Sequence, residues 1–100
     1  MVFVSQAPVG TKLKWINLSF NELKSIVGLS GYVGLEALNL SSNNLKSADF
    51  RLLRELTSLK ILVTGYQSSL FDFSFEEVKK QIVEKFPSAR VCKTELECKF

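Results

Sequence analysis

Histidine is absent from this 100-residue chain, and with it go the Ser-His and Cys-His nucleophile pairs and every histidine metal site. Cysteine is nearly absent: Cys92 and Cys98 are too few for a four-thiolate zinc site. Glycine occurs five times, and Gly28-Leu-Ser-Gly31 lacks both the lysine and the strand-to-helix setting of a phosphate-binding loop. Carboxylates are scattered rather than paired in apolar surroundings. These absences remove the usual inventory of catalytic groups, so a non-enzymatic protein without cofactor or metal is expected. There is no secretory signal pattern and no apolar run of membrane-spanning length, which predicts a cytoplasmic or nuclear location.

What the chain does contain is leucine at fixed spacing. Leu13, Ile16, Leu18, Asn21 and Leu23 are followed by Leu35, Leu38, Leu40, Asn43 and Leu45. Both stretches read L-x-x-[LI]-x-L-x-x-N-x-L, the strand and turn of a leucine-rich repeat. Strand side chains alternate, so Ile16 and Leu18 are predicted to point inward while Trp15 and Asn17 point outward. Asn21 and Asn43 carry both donors and an acceptor, which suits them to backbone groups left unpaired in the turn.

Weaker copies follow. Leu59, Leu62 and Thr64 match the inward positions of a third repeat, with Gln67 in place of the asparagine and one methylene too long for a regular turn. Aligning Leu56–Thr64 with Phe86–Thr94 gives a fourth copy, in which Ala89 and Cys92 replace inward leucines and Cys92 is a buried thiol. The starts at 13, 35, 59 and 89 are 22, 24 and 30 residues apart, so the returning segment lengthens toward the C-terminus.

The connecting segments are partly legible. Phe75, Val78, Ile82 and Phe86 have helical spacing before Pro87, and Ser74-Phe-Glu-Glu77 forms a capping box with a Phe73–Val78 staple, predicting the longest helix over 75–86. Phe50, Leu53 and Leu56 predict a shorter helix over 48–56, and the glycine-broken 26–32 segment a turn or one 3₁₀ coil. Val2-Phe-Val4, ended by Pro8 and Gly10, reads as an extended cover of the open sheet edge, with a truncation scar as the alternative.

The run from Asn21 through Leu23, Ile26, Leu29, Tyr32 and Leu35 to Leu38 resembles the 22-residue repeat subclass typified by the regulatory subunit of type-1 protein phosphatase. Ile82-Val-Glu-Lys-Phe86-Pro87-Ser-Ala-Arg-Val91 is similar to the cap shared by axonemal dynein light chains, a spliceosomal A-prime protein and the nuclear mRNA export receptor. Here Gln67-Ser68 and Cys92-Lys93 stand where that cap has an Asn-Pro-like turn and Leu-Asp. The resemblance covers residues 13–94 and implies an intracellular adaptor or regulatory subunit. It implies an α/β fold: a right-handed leucine-rich repeat solenoid with a parallel sheet on its concave face and short helices or turns on its convex face. The chain then forms a single domain, with an N-terminal edge cap (1–12), repeats (13–72) and a C-terminal capping helix and strand (73–100). Extracellular members usually carry cysteine clusters at both caps, and the acceptor patterns Asn17-Leu-Ser19 and Asn39-Leu-Ser41 arise from the repeat itself.

Function is then carried by the concave face. The residues predicted to meet a partner protein there are Trp15, Asn17, Phe20, Asn39, Ile61, Val63, Tyr66 and Val91, since large apolar groups left outward favour interfaces. Nucleic acid is the alternative, from the net charge of +3 and the position of Lys12, Lys14, Lys60, Arg90 and Lys93 near the strands. Self-association through the same face is a third.

Overall fold

Among the described residues there are four three-residue strands, β1 (Trp15–Asn17), β2 (Ala37–Asn39), β3 (Ile61–Val63) and β4 (Arg90–Cys92), the first three centred on the inward residues Ile16, Leu38 and Leu62 of the pattern. The computed structural model describes residues 12–69 and 71–99, so the extended cover predicted at Val2–Val4 lies outside the described residues, as does Leu70, which follows Gln67 in the third copy. The strands form one parallel sheet in the order β1-β2-β3-β4. Trp15 lies beside Ala37, Ala37 beside Ile61 and Ile61 beside Arg90. Parallel neighbours require crossover connections. These are a 3₁₀ helix at Val27–Gly31, a second at Ser47–Glu55, and helix α1 at Phe75–Lys85. Helix α2 (Glu95–Cys98) follows β4.

The crossovers pack on one face of the sheet. Leu38, Leu40, Leu62 and Val91 meet Leu29, Phe50, Leu53, Val78 and Ile82 in one buried core, with Ile16 and Leu18 packed against its edge. Each fully buried leucine or isoleucine contributes roughly 1.5–3 kcal/mol relative to exposure.

The turns after β2 and β3 are each closed by a side-chain amide. Asn43 Oδ1 accepts from the amides of Leu23 (2.9 Å) and Asn21 (3.0 Å), while its Nδ2 donates to the carbonyls of Leu18 and Leu40, both at 2.9 Å. Gln67 makes the corresponding set one turn later, accepting from Leu45 N at 3.0 Å and donating to Leu40 O at 2.8 Å and Thr64 O at 2.7 Å. The extra methylene therefore does not cost the turn its bonds. The irregularity expected there is a shift in the backbone: the positive φ falls at Gly65 (55°), two residues before Gln67, rather than one residue before the amide as at Phe20 and Ser42.

Helix α1 matches the spacing that predicts it, with Phe86 as its C-terminal cap. Only half of the capping box forms. Ser74 Oγ accepts from Glu77 N at 3.3 Å, but Ser74 N donates to Ser47 Oγ at 2.8 Å, and the Glu77 carboxylate accepts from Gln81 instead. The helix predicted over 48–56 is 3₁₀, for a geometric reason: Phe50, Leu53 and Leu56 recur every three residues, and three residues per turn stacks them on one line. Its start is closed by Asp49, whose carboxylate accepts from Lys46 N at 2.8 Å.

The fourth copy departs from its alignment by one residue. The turns correspond as expected, Leu59 N to Leu56 O at 3.0 Å and Ala89 N to Phe86 O at 2.9 Å. Strand β3 then begins two residues after Leu59, whereas β4 begins one residue after Ala89. A one-residue slip exchanges the two faces of a strand. Val91 consequently faces the core beside Leu62, and Cys92 faces outward beside Val63. Cys92 is also not a thiol: it is disulfide-bonded to Cys98.

Candidate functional site on the outer face of the sheet

Alternation places Trp15 and Asn17, Ala37 and Asn39, Ile61 and Val63, then Arg90 and Cys92 on the face opposite the core. The predicted contact residues divide into two groups. Trp15 (64% exposed), Phe20 (79%) and Tyr66 (71%) stand in solvent, and Asn17 is exposed. Val63 (0%), Asn39 (3%) and Val91 (6%) are covered, and Ile61 is half-buried. Val91 is removed from the face by the β4 slip. Val63 and Asn39 do face outward but lie beneath the chain's own C-terminal segment.

That segment is held to the sheet at two places, Cys98 and Glu95, with a helix cap between them. Cys98 is fully buried against Val63, Cys92 and Ile61, and its disulfide to Cys92 closes a separation of 6 residues. Thr94 Oγ1 accepts from Glu97 N at 3.1 Å and starts α2. Glu95 reaches back across the sheet, where its Oε1 accepts from Asn17 Nδ2 at 3.1 Å and Asn39 Nδ2 at 2.5 Å. Sequence reasoning missed this cover. Two signals for it were present, the Thr94-x-x-Glu97 helix-start pattern and the cysteines on either side of it. Both asparagine side chains of the glycosylation acceptor patterns are committed to these bonds.

What remains open is a hollow of about 400 Å³ between the strand ends and α2. Its floor is polar, from Asn17, Asn39 and Ser41, and Phe20, Tyr66 and Glu95 border it. A larger hollow of about 690 Å³ runs along the turn edge between Glu22, Lys24 and Gln67, and Tyr66 borders this one too. The smaller hollow is the stronger candidate, because outward strand groups and an aromatic converge on it.

Phe20 is held there against its backbone preference. Its φ is 59°, a left-handed conformation that glycine adopts freely and that costs other residues about 1–2 kcal/mol. Ser42, at the matching place in the next turn, has φ 56°. Strain of this kind persists where the surroundings impose it and gathers at functional positions.

The cations near the strands are partly engaged. Glu36 sits between Lys14 (3.8 Å) and Lys60 (3.4 Å), and the Lys93 ammonium lies 5.0 Å from the centre of the Phe75 ring. Among the described residues, no three His, Cys, Asp or Glu side chains are grouped to share a metal ion, and no helix is long and apolar enough to cross a membrane. No protein-family model matches the chain, and no curated protein is significantly similar to it in sequence.

Proposed function

We propose that the chain is a right-handed leucine-rich repeat solenoid that acts as a non-enzymatic protein-recognition module, an adaptor or regulatory subunit of the cytoplasm or nucleus. The repeat reading is supported by the parallel strand order and by the amide bonds that Gln67 makes one turn after Asn43. The recognition reading rests on one observation: Phe20 is kept 79% exposed in a strained backbone, facing the same hollow as Tyr66. A monomer gains nothing from holding two aromatic rings in water, whereas an interface does. The contact set is accordingly Trp15, Asn17, Phe20 and Tyr66, with Ile61 at its border. Protein is favoured over nucleic acid because Glu36 is paired with two of the five cations near the strands.

Selection of a random displayed-peptide library on the folded chain tests this. Enriched peptides should bind at least tenfold more weakly to a Phe20→Ser, Tyr66→Ser variant and should change little between low and high salt. Equal binding to both chains would remove the reading. A steep salt dependence with nucleic acid as the preferred ligand would replace it. Concentration-dependent light scattering separates self-association from either.

A further inference from the structure

Asn17 and Asn39 hold the same pose on neighbouring strands. Each turns its Oδ1 to the backbone amide two residues on, Ser19 N and Ser41 N, both at 2.9 Å. This fixes both Nδ2 donors toward the outer face, where they meet on one oxygen of Glu95. Two preset donors on adjacent strands make a seat for a carboxylate. Next to it, Val63, Ile61 and Cys92 form an apolar socket that Cys98 fills. Glu95 and Cys98 are three residues apart in α2, so one helical turn occupies both places. A four-residue helix has little stability of its own, and Leu96 on its solvent side is 90% exposed. The disulfide keeps it in position.

We propose that this groove receives a short acidic peptide of a partner protein, a carboxylate followed three residues later by a small apolar side chain, and that Thr94–Cys98 is an in-chain competitor latched by the Cys92–Cys98 bond. The inference rests on the protein-recognition reading above. It adds the class of partner and the means of control. A dithiol opens the latch. One thiolate attacks a sulfur of the pair and forms a mixed disulfide, and the second thiol displaces it. Two electrons and two protons end on Cys92 and Cys98, and the reductant leaves as its own disulfide. Loss of so short a loop constraint weakens closure by roughly fiftyfold on chain-entropy grounds. In a cytoplasmic or nuclear setting, where thiols are kept reduced, the unlatched form would be the resting one.

The test is fluorescence anisotropy with a labelled synthetic peptide of residues 93–99 carrying Cys98→Ala. It is titrated against the oxidised full chain, the full chain in dithiothreitol, and a full-length Glu95→Gln, Cys98→Ser variant. Affinity should rise in that order, with the oxidised chain at least fiftyfold weaker than the variant. A Glu95→Gln change in the peptide, or Asn17→Ala in the protein, should cost at least tenfold. Equal affinity for oxidised and opened chains, indifference to the glutamine peptide, or binding to none of the three forms would each overturn the inference. Amide exchange at Leu38 and Leu62 reports whether the variant is folded, and if it is not, the reduced native chain decides. Failure here with Phe20 and Tyr66 dependence intact in the displayed-peptide selection overturns the acidic-peptide inference alone. Failure of both overturns the recognition reading as well.

Discussion

Gly65 and Ser41 touch across adjacent turns so closely that a Cβ added to Gly65 would stand 2.5 Å from Ser41 Cβ and 2.6 Å from its Cα. Gly65→Ala therefore meets backbone as well as left-handed strain, and should lower stability by about 2–3 kcal/mol in urea unfolding. Gly34→Ala is the control, since nothing lies within 4 Å of its added Cβ. It should change stability by no more than about 0.5–1 kcal/mol.

Asn43→Ala takes away the partner of the Asn21 and Leu23 amides and of the Leu18 carbonyl, while Leu40 O keeps its bond from Gln67, in a region that is largely buried. At roughly 1–3 kcal/mol for an unsatisfied group, partly relieved by water, the loss should be about 3 kcal/mol. Asn17→Ala, on the exposed strand, should cost under about 1 kcal/mol. Parallel urea titrations of the two variants check the contrast.

Phe50 is fully buried at the centre of the second 3₁₀ helix, with its ring 5.7 Å from that of Phe73. Phe50→Ala should destabilise by about 3–5 kcal/mol, read as a fall in the urea midpoint. Val63→Glu should be worse, because it places an unpaired carboxylate beside the disulfide in a position with no exposure. Circular dichroism should show that variant largely unfolded.

Phe20→Gly separates fold from function. Releasing the positive φ should raise stability by about 1 kcal/mol, while the loss of the ring weakens partner binding. A thermal melt and a binding titration on one preparation would show both changes. A ring needed for packing would instead lower the melting temperature.

The parts of this fold legible in the sequence are those set by repeated spacing. Leu38, Leu40, Phe50, Leu53, Val78 and Ile82 lie in the core, and α1 occupies the segment its periodicity marks. The β4 register was not legible, because it depends on whether one or two residues separate the turn at Ala89 from the strand. Val91 and Ala89 are both apolar enough to be assigned to either face. The site was read in part for a related reason. Trp15, Phe20 and Tyr66 are exposed, the first as strand alternation predicts, but the burial of Asn39 and Val63 is imposed by residues 94–98 folding back. Periodicity carries no information about such long-range contact.

The second 3₁₀ helix also bears on how the chain tolerates changes of length. Its 9 residues, rising about 2.0 Å each, cover about 18 Å behind the sheet. The 11 residues of α1, at about 1.5 Å each, cover about 16 Å. The longer connection thus spans nearly the same distance as the shorter one by rising less per residue. Insertions on this side can be absorbed by a change of helical pitch while neighbouring strands keep their pairing, which leaves the outer face insulated from length variation behind it.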